Sequence, residues 1–119
     1  MLTEQELHNL AMNIVGEAVV EALNWEFLLV NSQMKKDPQF VCIDKQGKKH
    51  FIIVRPILGG DDPDEYDALF MEVVRQKALE NNADAYWAGV GLTQVHDKTA
   101  PLEKGKPYRV NFKGLLKIV

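Results

Sequence analysis

Asp61, Asp62, Asp64, Glu65 and Asp67 crowd one short segment, and oxygen ligands at that density are what a hard cation such as Ca²⁺ requires. The segment lacks the alternating ligands and central glycine of an EF-hand loop. Acids also collect where a helix N-terminus favours negative charge, so these residues read as a helix start. Gly89 and Gly91 lack the third glycine and the following helix of a dinucleotide grip, and they read as a bulge or as close packing against a helix. His8, His50 and His96 fall on a helix, a strand and a loop without ligand spacing. Ser32 is the only serine, and no base lies near it in sequence. Cys42, the only cysteine, lies in an apolar run and reads as a small buried hydrophobe; it excludes an internal disulfide and a structural zinc site. These residues predict no metal site and no resident cofactor.

The elements that must position any site are more legible. Leu7, Leu10, Ala11, Ile14, Val15, Ala18, Val19 and Ala22 make one apolar stripe of a helix over 2–23. Thr3 followed by Glu6 is a capping box at its start. Residues 25–32, 40–43 and 50–55 are short β-type runs. Gly47 suits the tight turn between the second and third, and Pro56 is the expected end of the third. Asp62, Pro63 and Glu65 predict a second helix start, with a stripe of Tyr66, Leu69, Phe70, Val73, Val74 and Ala78 and a stop at Asn81 or Asn82. Residues 85–95 are apolar without helical period, as in a strand covered on both faces. Residues 108–114 alternate as a half-buried edge strand. The order α-β-β-β-α-β-β predicts an α+β fold, one domain over 1–119, with a mixed sheet of about five strands and two helices, on opposite faces or on one.

Composition is that of a globular chain: 119 residues, 46% hydrophobic, 26% charged, net charge −3. No apolar run approaches the ~20 residues that span a bilayer, and with a lone cysteine the expected setting is cytoplasmic. The charge is segregated. Residues 1–34 hold five acidic groups and no Lys or Arg, residues 35–55 carry net +4, residues 56–90 net −6 and residues 91–119 net +4. Lys48 and Lys49 on the hairpin, with Arg109 and Lys113 on the last strand, are therefore the candidate contacts to a ligand or nucleic acid. Lys77 is a further candidate: a cation on the apolar stripe of the second helix either snorkels or points into a polar pocket facing Arg55.

The segment DPQFVCIDKQGKKHFIIVRP (37–56), within the α-β-β-β-α-β order, resembles the PD-(D/E)XK, or restriction-endonuclease-like, nuclease superfamily. The resemblance implies that Asp37, near the second strand, and the tripeptide Ile53-Val54-Arg55, at the place of the family's acid-x-lysine, converge across the hairpin. It implies Glu17 or Glu21 on the first helix as an assisting acid, and Mg²⁺ as the cofactor if the site is active. The chain departs from that pattern: Ile53 cannot ligate a metal, and Arg55 stands for lysine. The expected function is a non-catalytic nuclease-like module binding a protein, a ligand or nucleic acid. The alternatives are a Mg²⁺-dependent nuclease using Asp37 and Arg55 with Glu17 or Glu21, and a homo-oligomer, a dimer included, that pairs through the C-terminal residues 115–119.

Overall fold

A computed structural model describes residues 1–119, the side chain of Val20 excepted. Helix α1 (Glu4–Ala18) starts at the expected capping box, with the Thr3 hydroxyl accepting from the Glu6 amide and the Glu6 carboxylate accepting from the Thr3 amide. It passes into one π-helical turn (Val19–Leu23), ended by Asn24 in the left-handed conformation. The strands are β1 (Glu26–Val30), β2 (Phe40–Ile43), β3 (Lys49–Ile57), β4 (Ala83–Gln94), β5 (Tyr108–Asn111) and β6 (Leu116–Lys117), with α2 (Ala68–Glu80) between β3 and β4. The fold is α+β, with a mixed sheet of six strands, the short β6 adding one to the five that the pattern suggests.

The sheet runs in chain order, β1-β2-β3-β4-β5, with β6 on the far side of β4. Only β3 and β4 are parallel, because α2 carries the chain back across the sheet between them. Alternation along these strands sends Ile52, Val54, Tyr86, Ala88, Val90 and Leu92 to one face, where they meet Leu7, Ala11 and Val15 of α1. Ile53, Ala83, Ala85 and Trp87 go to the other face and meet Met71, Val74 and Ala78 of α2. One helix therefore covers each face.

Four expectations change. Pro56 does not end β3, which continues to Ile57: β2 is paired only as far as Ile52, so the bonds that proline cannot make have no neighbouring strand to serve on that side. The second helix starts not at Asp62 but at Asp67, whose carboxylate caps the amides of Leu69 and Phe70. Asp62 forms a tight turn instead, accepting from the Asp64 amide. The buried stripe of α2 is narrow, leaving Leu69 and Val73 exposed. Finally, residues 108–111 are exposed throughout, and the C-terminal residues find their partner within the chain: Leu116 and Lys117 pair with Trp87 and Tyr86, and Ile118 is buried.

Candidate functional site

β3 outruns β2 by several residues, so the side chain of Arg55 reaches around the open side of the sheet to the segment that leads into β2. Its Nη2 lies 3.0 Å from each carboxylate oxygen of Asp37. Its Nη1 donates to Gln39 Oε1 at 3.2 Å and to the Val54 carbonyl at 3.0 Å. The guanidinium also stands 5.6 Å from the Phe70 ring centre, a cation–π distance. Gln39 is fully buried and organises the cluster. Its Oε1 accepts from the Val54 amide at 2.8 Å, and its Nε2 donates to Asp37 Oδ1 at 2.7 Å and to the Lys36 carbonyl at 3.2 Å. The two positions singled out by sequence, Asp37 and Arg55, do meet. They meet as an ion pair that occupies most of the donors and acceptors on both.

Beside them α1 contributes Glu4, Leu7 and His8 to a cleft of about 270 Å³ shared with Arg55, Lys35 and Pro56, and His8 is its buried polar member. It is 2% exposed, and its Nε2 has no hydrogen-bond partner among the described residues. Burial holds this imidazole below its usual range, the Arg55 charge adds to that, and Asp37 opposes it. The unfolded chain takes up a proton on His8 as pH falls through 6.5 and the folded chain resists, so this group makes folding less favourable below that pH. His8→Leu is therefore expected to raise the urea midpoint and to flatten its decline between neutral and mildly acidic pH. A midpoint that falls at every pH would contradict this.

Glu17 and Glu21 do not reach the cluster. They lie nine and thirteen residues beyond His8, about 14 and 20 Å along a helical axis at ~1.5 Å per residue. They line a separate groove between α1 and β1. Ile53, at the acidic position of the motif, is fully buried beside Met71 and Val74. No group of three His, Cys, Asp or Glu able to hold a metal occurs among the described residues. Lys77 is exposed in the last turn of α2 and is not a partner of Arg55. The basic surface is partly neutralised: Lys48 and Lys117 both pair with Asp84, at 3.9 and 3.4 Å, and Lys113 pairs with Asp62 at 3.2 Å. Lys49 and Arg109 are exposed.

A second polar cluster lies on the α1 face of the sheet. His50 Nε2 is 2.9 Å from Asp44 Oδ2, and its Nδ1 is 3.0 Å from the Tyr86 hydroxyl. Trp25 stacks on the imidazole at 3.8 Å with nearly parallel planes. Asp44 also accepts from the Gln46 and Lys48 amides, so it both closes the hairpin turn and anchors His50. The His50 bond is the largest of the contacts that hold its carboxyl below the usual range. Burial, with Asp84 and Asp44 adding to it, pushes Tyr86 up to about 12. A phenol so perturbed keeps its proton at neutral pH. The side-chain polar atoms of His50 and Tyr86 are thus paired within one hydrogen-bonded Asp44–His50–Tyr86 chain.

One family, described as a domain of unknown function (DUF8840), matches residues 5–118. The chain belongs to that family. Neither a search of curated proteins nor one of solved structures returns a match. In this DUF8840 chain the residues that sequence reading passed over are Gln39 and His8. Gln39 takes its acceptor role from Val54, fifteen residues away, and nothing local announces it. His8 sits among the apolar residues Leu7, Leu10 and Ala11, and that placement on the buried stripe was its one available signal.

Proposed function

We propose that the chain is a non-catalytic, metal-free protein-binding module on a restriction-endonuclease-like scaffold. The observation that carries this reading is the Arg55 guanidinium seated on Asp37 and Gln39, a cation built into the protein where the resemblance would put a metal and its lysine. A sheet in chain order with β3 and β4 parallel across α2, and helices on opposite faces, supports the scaffold assignment. With Ile53 in the core, Asp37 is the one carboxylate bonded to Arg55 among the described residues; Glu4 lines the adjoining cleft, and two acids without a third are a poor Mg²⁺ site.

A protein partner is favoured over nucleic acid because Lys48, Lys113 and Lys117 are paired with Asp84 and Asp62, leaving Lys49 and Arg109 as scattered cations, whereas Phe27, Leu28, Leu29 and Val30 of the edge strand β1 are 38–54% exposed. A cytoplasmic, reducing setting suits Cys42, a buried thiol whose pKa burial pushes up to about 11. Calorimetric titration with Mg²⁺ and with Mn²⁺ is expected to give no saturable heat, and plasmid and single-stranded DNA to stay intact. Saturable heat, or cleavage abolished by Asp37→Ala, would overturn the reading.

A further inference from the structure

The two acids of α1 that sequence reading assigned to a metal site border something else. Between α1 and β1 runs an open groove of about 720 Å³, and its apolar lining is formed by Met12, Phe27, Val30 and Phe40. Phe27 and Val30 point into it from the strand because a bulge at Leu28 resets the register: Phe27 pairs with Cys42 and Val30 with Phe40, both on the α1 face. Gly16 keeps the groove open on the helix side, since a Cβ there would already stand 3.5 Å from Phe40 Cζ and 3.7 Å from Phe27 Cζ. A longer side chain would lie in the space itself. Above this floor stand Glu17 and Glu21, both exposed, and neither makes an ion pair among the described residues. No Lys or Arg occurs anywhere in residues 1–34 to offset them.

We infer that this groove is the docking site for a cationic amphipathic segment of a protein partner, one that lays apolar side chains on Phe27, Val30 and Phe40 and sets Lys or Arg against Glu17 and Glu21. Apolar anchors supply the affinity of such a site, and the acidic rim selects the sign of the partner and speeds the encounter. A second copy of this chain is a poorer occupant through the same face. An isologous contact would set one acidic rim against another, as residues 1–34 carry only negative charge.

The inference rests on the reading of the chain as a protein-binding module, but the two fail separately: metal titration tests the Asp37 cluster, and peptide binding tests the groove. The probe is a fluorescein-labelled amphipathic peptide of leucine and lysine, followed by anisotropy on the full chain, with a leucine–glutamate peptide of the same pattern as control. The lysine peptide is expected to bind at least about tenfold more tightly than the control. Gly16→Leu, which alters no charge, is expected to weaken it about tenfold or more, and Glu17→Lys with Glu21→Lys to reverse the preference between the two peptides. Val30→Glu on the exposed strand is a second floor variant, which keeps the test decisive if Gly16→Leu does not fold. Equal affinity for the two peptides, or binding indifferent to both floor variants, would overturn the proposal. So would a dimer in light scattering that Gly16→Leu dissociates, because the groove would then belong to a second copy.

Discussion

Gly89→Ala is expected to destabilise the domain by about 2–5 kcal/mol, a large part of the ~5–15 kcal/mol typical of a whole domain. Gly89 lies in β4 opposite Arg55, on the face that α2 and the preceding loop cover. A Cβ built on it would stand 1.8 Å from the Pro63 carbonyl oxygen and 2.8 Å from the Pro63 carbonyl carbon. Both are backbone atoms, so no rotamer change relieves the overlap and the loop itself must retreat. The same carbonyl accepts the Trp87 indole N–H at 2.8 Å, so the retreat also strips a buried donor of its partner. The measurement is the urea midpoint followed by tryptophan fluorescence. A loss below about 1 kcal/mol would mean that the loop yields freely and that this packing does not hold it.

Gln39→Ala is the other large effect, expected at about 2–4 kcal/mol. The substitution leaves a cavity at a fully buried position and removes the acceptor of the Val54 amide, the second acceptor of Arg55 and the donor that steadies Asp37. Gln39→Glu separates these contributions. It keeps the shape and the acceptor but turns a 2.7 Å donor contact with Asp37 Oδ1 into a confrontation of two carboxylates. The folded state then favours the protonated form of the new acid, so its pKa is raised on folding. The loss of stability is largest at neutral pH and shrinks as pH falls toward the carboxylate range. Urea midpoints across pH test this, and a penalty that grows on acidification would contradict it.

The architecture was legible because it rests on signals that local residues carry. The α1 stripe and its Thr3–Glu6 capping box, the Gly47 turn, and the doubly covered run of β4 all appear in the structure as the sequence implies. The start of α2 was not legible, since Asp62-Pro63 and Asp67 are competing caps of similar quality. A contact twenty-four residues away, from Trp87 to the Pro63 carbonyl, occupies the first of them. The glycines of β4 were legible only in part: Gly89 serves a close approach to a loop rather than to a helix, and the pairing of β3 with β4 runs through it without a bulge.

The candidate site divides in the same way. Asp37 and Arg55 were found from the family pattern and stand together. Glu17 and Glu21 lie on the helix that carries His8 but nine and thirteen residues farther on, where they border the β1 groove. The charge blocks along the chain were real, yet they did not show that Lys48 and Lys117 share one acid, Asp84, supplied by β4. Pairings between elements decide these points, and such partners lie many residues apart.

Under the proposed function, Arg55 seated on Asp37 is a cation borne by the protein where the resemblance would put a metal. The most direct measurement is paramagnetic broadening of amide signals by Mn²⁺ titrated into the labelled protein. No selective loss of signal is expected at residues 37–39 and 53–55. Saturable broadening confined to those residues, and removed by Asp37→Asn, would contradict it.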